Sequence, residues 1–402
     1  MTQPTLGLRQ NGVQFSLLVL INAFVGGMIG LERAILPELA EQEFGLAAKT
    51  AILSFIAVFG LTKALSNYFA GAFANRVGRK NLLLIGWIVG APVPLMLIFA
   101  PSWGWVLAAN VLLGINQGLA WSSTVVMKID LVGEKQRGLA MGFNESAGYL
   151  AVGVVAFLTG WLASEYGLRP VPFYLGVGFV VAGFFLTLLF VKDTAGHVQA
   201  ETKSSNRPLL PNIFRETTFK HPNLGSITQA GLINNLNDGM IWGIFPLLLA
   251  SKGFKIQEIA TLVAIYPAVW GLGQLFTGAA ADKLPKKQIL FWGMLGQAIA
   301  IAGFPLASTF ASMTFLSVVL GLGTAAVYPT FLAAIADNTH PQQRASSIGI
   351  FRLWRDLGYV FGAILTGILA DAISMEVAIY SVAGLTLFSS IFIKLRMRIS
   401  PS

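Results

Sequence analysis

Twelve stretches of about twenty mostly apolar residues run along this 402-residue chain, and they limit the fold more than any other feature of the sequence. A membrane helix needs about 20 such residues, because the hydrocarbon core is about 30 Å thick and each helical residue rises about 1.5 Å. The stretches cover 13–36, 49–71, 82–100, 103–128, 138–164, 171–191, 225–250, 256–280, 287–307, 311–335, 345–370 and 374–394. A segment in lipid must satisfy its own backbone hydrogen bonds, so an all-α membrane protein is predicted. Asp, Glu, Lys and Arg make up 11% of the chain, against about 25% in a soluble domain. That is too little charge to clothe a water-facing globule of this size, which excludes a soluble enzyme. With 43 Gly and 17 Pro the chain is no coiled coil, and the absence of Cys removes thiolate catalysis, disulfides, Cys-bound zinc and iron–sulfur ligation.

The loops are short except for residues 192–224, which fall at the midpoint with six spans on either side. The chain therefore reads as a half over 1–191, a linker over 192–224 and a second half over 225–402. Glu32 and Arg33 stand where a signal-peptide cleavage site would follow the first span, so that span is expected to be retained. Basic residues orient the spans. With both termini on one side, that side collects Arg9, Arg76, Arg79, Lys80, Lys128, Lys135, Arg137, five linker cations (Lys192, Lys203, Arg207, Arg215, Lys220), Lys283, Lys286, Lys287, Arg344, Lys394, Arg396 and Arg398, which is 19 of the 27 Lys and Arg. The opposite loops hold Arg33, Lys49, Arg169, Lys252 and Lys255. Both termini and the linker are thus expected in the cytoplasm of a cell with this protein in its inner (plasma) membrane. The net charge of +9 becomes a topology signal and not a footprint for nucleic acid.

The two halves repeat at an offset of 207 residues. GAFANRVGRK at 71–80 matches GAAADKLPKK at 278–287, and the same offset pairs Gly114 with Gly321, Asp130 with Asp337, Arg137 with Arg344 and Gly142 with Gly349. Two parallel copies of a six-helix unit form a transporter architecture with its substrate near the midplane.

The segment 71–80 resembles the loop 2–3 signature of the major facilitator superfamily, roughly G-x-L-A-D-R-x-G-R-K. Gly71, Arg76, Gly78, Arg79 and Lys80 match, with Asn75 at the acidic position; the second copy keeps the acid as Asp282 but has Pro285 for a glycine. Asp130-x6-Arg137 and Asp337-x6-Arg344 resemble the acid–x6–Arg pattern of sugar porters in that superfamily. The resemblance implies the twelve-helix fold of two six-helix repeats, with these residues as cytoplasmic gate and capping groups. A simpler alternative is that they only hold the loops in water. Each exposed pair would add about 0–1 kcal/mol. Two departures weaken a drug–proton antiporter reading: Asn110 stands where such antiporters carry an Arg four residues before a glycine, and 148–163 has no proline.

Ionisable groups inside spans are costly and mark functional candidates. Lys63 lies too deep to snorkel. Span 11 carries Arg352, Arg355 and Asp356; the repeat partner of Arg352 is Glu145, and the two are read as a gate pair. Arg352 and Asp356 are also i,i+4 neighbours that partly neutralise each other. The expected substrate cavity is lined by Asn22, Arg33, Lys63, Gln117, Trp121, Asn234, Asp238, Tyr266, Trp270, Gln274, Tyr328 and Arg355. Amides between aromatic rings on one helix face suit a wall that binds apolar surface and orients it with a few polar groups.

No phosphate-binding G-x-x-x-x-G-K-[ST] loop is present, and His197, His221 and His340 are dispersed through loops. The expected function is a monomeric secondary active transporter of a small solute, with no cofactor, no metal and no enzymatic activity. Protons are the expected coupling ion, with Glu32, Glu145, Asp238 and Asp356 able to carry them. Efflux of an amphipathic compound stands beside transport of an anionic metabolite, with a membrane sensor or enzyme as a remote alternative.

Overall fold

A computed structural model of the chain describes residues 5–33, 35–46, 54–133, 136–204, 207–254 and 256–398, all helix and connecting turns, with no strand among them. Lys49, Lys135 and Lys255 of the topology count, and the first residues of the second span, lie outside these residues.

The helices are α1 (Gly12–Arg33), α2 (Leu36–Gln42), α3 (Ser54–Val77), α4 (Arg79–Gly90), α5 (Pro92–Ile98), α6 (Trp103–Val132), α7 (Arg137–Tyr166), α8 (Tyr174–Phe190), α9 (Ala195–Ser204), α10 (Pro222–Ser251), α11 (Ile256–Ala281), α12 (Lys286–Gly303), α13 (Phe310–Asp337), α14 (Arg344–Ala372) and α15 (Met375–Arg396). Eight described segments are long and apolar enough to cross a membrane: Gly12–Arg33, Arg79–Ile98, Arg137–Tyr166, Val171–Phe190, Thr261–Ala281, Phe310–Asp337, Pro341–Ala372 and Met375–Arg396. The remaining long helices carry more polar residues. α6 buries Asn110, Asn116, Gln117, Lys128 and Asp130, and α10 buries Asn234, Asn235, Asn237 and Asp238. Polar side chains turned inward lower the mean hydropathy of a helix without changing its length.

Two boundaries differ from the sequence reading. The second span does not stop at Gly71; α3 continues to Val77 and the chain turns at Gly78, whose φ of 88° favours glycine. The third span breaks between α4 and α5, where Pro92 lacks the donor that continues a helix. Within the stretch 192–224, Ala195–Ser204 forms α9.

The chain forms two compact units. The first comprises Met1–Lys135, Ser146–Arg207 and Pro341–Gly349; the second comprises Gln136–Glu145, Pro208–His340 and Ile350–Ser402. In the first unit α6 is central and packs against α1, α3, α4 and α5. In the second, its repeat equivalent α13 packs against α10, α11 and α12, while α15 covers α10 and α12. Small residues permit equivalent close crossings in each. A Cβ on Gly71 would stand 2.8 Å from Gly349 Cα in the first unit, and one on Gly278 would stand 2.8 Å from Gly142 Cα in the second. Such approaches bring backbones together where lipid supplies no hydrophobic drive between helices.

Candidate functional site

The acid–arginine motifs assemble into two ion clusters built from repeat-equivalent residues. In the first unit, Asp130 at the end of α6 forms an ion pair with Arg79, whose Nε lies 3.2 Å away, and accepts Arg344 Nη1 at 3.2 Å. In the second, Asp337 at the end of α13 accepts Arg137 Nη1 at 3.0 Å and Lys286 Nζ at 2.8 Å. The offset of 207 relates Arg79 to Lys286, Asp130 to Asp337 and Arg344 to Arg137.

The clusters differ in their contact with water. Asp130 and Arg344 are fully buried and Arg79 nearly so, whereas the Asp337 and Lys286 side chains are 20% and 22% exposed. The first cluster also gains a member with no repeat partner. Glu201 of α9 accepts Arg344 Nη2 at 2.5 Å, so one guanidinium spans two carboxylates, and Thr194 at the start of α9 donates to Asp130 at 2.9 Å. Two cations and two anions then balance in a buried place, the condition under which buried charge is tolerated. Glu201 escaped the sequence reading, which counted the linker's basic residues only; its place six residues after Ala195 on a short polar helix was the available signal. Of the remaining motif residues, Arg76 is exposed, while Lys80 Nζ donates to the Leu188 carbonyl at 2.9 Å.

Asp282 caps a helix. Its carboxylate accepts Gly138 N at 2.7 Å and Leu139 N at 2.8 Å in the first turn of α7, where free N–H groups and the helix dipole favour an anion. Burial pushes this carboxyl above its ordinary value, and the two backbone donors and Lys286 oppose the rise. Asn75, its equivalent in the first unit, instead donates to the Gln342 carbonyl.

Glu145 and Arg352 lie together in the second unit, both fully buried, with Arg352 Nη2 3.4 Å from Glu145 Oε1. Asp356 accepts Arg355 Nε at 2.8 Å and Nη2 at 2.6 Å.

The cavity candidates form a coherent group in the second unit. Tyr266 hydroxyl donates to Asp238 and lies 3.2 Å from Thr324 Oγ1. The rings of Tyr266, Trp270 and Tyr328 follow one another at centroid spacings of 5.9 and 5.1 Å, and the Arg355 guanidinium lies 5.4 Å from the Tyr328 ring. Gln274 is fully buried, and among the described residues neither amide atom has a hydrogen-bond partner. Asn234 has a bracing contact: its carbonyl oxygen accepts Gln297 Nε2 at 3.0 Å, which ties α10 to α12.

In the first unit Lys63 Nζ lies 5.6 Å from the Phe59 ring and 5.5 Å from the Trp121 ring, and Trp121 lies 5.2 Å from Tyr149. Gln117 donates to the Val25 carbonyl at 2.8 Å and braces α1 against α6. Asn22 accepts the Thr124 hydroxyl at 2.8 Å. Arg33 is exposed beside Phe59, while its neighbour Glu32 is buried and accepts Asn110 at 3.3 Å.

The sequence matches the Major Facilitator Superfamily over residues 15–228 and again over 227–402. The multidrug resistance protein MdtG of Serratia proteamaculans is 24% identical over 343 residues, covering 83% of this chain and 82% of that protein. The MdtG of Citrobacter koseri is 24% identical over 376 residues, covering 91% and 90%. Among solved structures, the human organic anion transporter MFSD10 (TETRAN) superposes with a TM-score of 0.73 at 14% identity, covering 94% of this chain and 98% of that one. The duplicated motif, the paired acid–arginine clusters and a match that covers each half in turn have one common explanation: the chain is a multi-pass membrane transporter that belongs to the major facilitator superfamily.

Proposed function

We propose that the chain is a secondary active transporter that exports a small amphipathic solute by alternating access, with protons as the driving ion. It crosses the inner membrane twelve times as two six-helix repeats joined by the 192–224 linker, keeps both termini in the cytoplasm, and works as a monomer. The observation that carries the reading is the group around Asp238: a buried carboxylate on a tyrosine hydroxyl, beside a file of three aromatic rings ending at Arg355. An intramembrane acid is a functional group by default, and aromatic walls with few polar atoms suit an apolar body with a polar handle. The MdtG proteins of Serratia and Citrobacter, named for multidrug resistance, support efflux as the direction.

A second reading, transport of an anionic metabolite, draws on Lys63 and Arg355, each a span cation facing aromatic rings. Proteoliposomes with an imposed pH gradient separate the two. For the leading reading, a cationic or neutral amphipathic dye moves against the proton gradient, and Asp238→Asn abolishes the gradient-driven component. If small organic anions move instead, and Lys63→Ala or Arg355→Ala stops them, the second reading replaces the first. Ligand binding with no flux of any solute would sink both.

A further inference from the structure

The outward surface of the second unit is not smooth. Helices α11, α12 and α13 leave between them a groove of about 480 Å³, within the size range of sites that hold a small ligand, about 300–1,000 Å³. Its walls are apolar, and Leu284, Trp292 and Leu322 stand 54%, 64% and 50% exposed there, so the described protein leaves them uncovered. Gly296 and Gly323 line it, Gly296 facing open space and Gly323 lying where α12 and α13 cross closely.

The groove takes in the last turn of α11, the first half of α12 and the middle of α13. Along α12 it reaches from Gln288 to Gly296, eight residues or about 12 Å of helix. One leaflet of a bilayer offers about 15 Å of hydrocarbon, half of the roughly 30 Å core. A partner helix would need a channel running the full thickness, so the dimension fits an acyl chain. The open end is basic. Lys283 adjoins Leu284 and Lys287 adjoins Gln288, while Lys286 between them is held by Asp337 at 2.8 Å. Neither Lys283 nor Lys287 pairs with a carboxylate among the described residues. Cations at the water end of a groove between membrane helices select anionic headgroups.

We propose that this groove holds an acyl chain of an anionic phospholipid from the adjoining leaflet, with its phosphate between Lys283 and Lys287. The site is separate from the Asp238 group and does not depend on the solute transported.

The test uses the purified full-length chain in neutral detergent, titrated with palmitoyl-oleoyl phosphatidylglycerol, with the phosphatidylcholine of the same chains, and with glycerol 3-phosphate. Thermal unfolding is followed by tryptophan fluorescence, and bound lipid by native mass spectrometry. Gly296→Leu fills the groove from within, because a Cβ at Gly296 meets no other atom within 4 Å. The double variant Lys283→Gln, Lys287→Gln removes the headgroup charge at the surface and leaves the groove open. For wild type, phosphatidylglycerol raises the midpoint more than phosphatidylcholine does, glycerol 3-phosphate leaves it unchanged, and a phosphatidylglycerol adduct survives in the mass spectrum. Gly296→Leu loses that adduct and at least half of the shift, and the lysine double variant responds equally to both lipids. Equal shifts in wild type, a full shift retained by both variants, or an equal shift from glycerol 3-phosphate would overturn the site. A dimer that Gly296→Leu dissociates would assign the groove to a second copy of the chain and overturn it as well.

Discussion

Asp130→Asn removes one charge from a set of four that water does not reach. Arg79, Asp130, Arg344 and Glu201 are each 5% exposed or less at their side chains, and their charges sum to zero. The substitution keeps the volume and leaves two guanidiniums facing a single carboxylate. Breaking a buried pair by neutralising one partner costs about 3–5 kcal/mol. For a cooperative unit of about 200 residues, at about 2–4 °C per kcal/mol, the unfolding midpoint falls by roughly 6–20 °C. Asp337→Asn makes the same chemical change at the repeat-equivalent position, but Asp337 and Lys286 are 20% and 22% exposed. Arg137, the other cation on Asp337, stays fully buried, but water solvates Lys286 once its partner is gone, so the Lys286 pair's share falls toward the roughly 0–1 kcal/mol of exposed pairs. The expected order is a smaller loss for Asp337→Asn than for Asp130→Asn, because one of the two cations on Asp337 reaches water and neither of those on Asp130 does. The chain has no Cys for thiol-reactive dyes but has nine Trp, so intrinsic fluorescence during heating is the assay. Equal losses in the two variants, or a larger loss for Asp337→Asn, would refute the argument that burial sets the difference.

Three further outcomes follow from the same geometry. Glu145→Arg and Arg352→Glu each abolish transport in proteoliposomes, and the double reversal restores part of it, since the two charges meet at 3.4 Å in a fully buried place; no restoration would count against a gate pair. Gln274→Leu raises stability, because leaving a buried polar group unpaired costs about 1–3 kcal/mol and both its amide atoms lack partners among the described residues, while solute flux falls; unchanged flux would remove Gln274 from the site. Burial lowers the affinity of His197 and His221 for protons, and His221 Nδ1 accepts the Asn223 and Leu224 N–H groups at the start of α10. With folded values below the unfolded one, this stabilisation is complete above about pH 6.5 and is lost as the pH falls through the folded values. The midpoint of wild type therefore drops more between pH 7.5 and 5 than that of the double variant His197→Gln, His221→Gln.

Much of this protein could be read without coordinates. Apolar run length and helical rise are local quantities, so they established a helical membrane chain. The 207-residue offset exposed the duplication, and Gly71, Arg76, Gly78, Arg79 and Lys80 carried the family resemblance. Glu145 and Arg352 were paired through the repeat alone, and the structure sets them side by side. What the sequence could not separate were residues of one type in one motif: Arg79 sits in a buried ion cluster while Arg76, three residues earlier, faces out. Nor could it separate Asn234 and Gln117, which brace neighbouring helices, from Tyr266 and Trp270, which gather around Asp238. The cluster on Asp130 joins residues 214 positions apart and recruits Glu201, 143 positions before Arg344, from a linker with no repeat counterpart. Periodicity and composition act over a few turns of helix. The energy of a charge depends on how much water its distant neighbours exclude, and only the packed chain decides that.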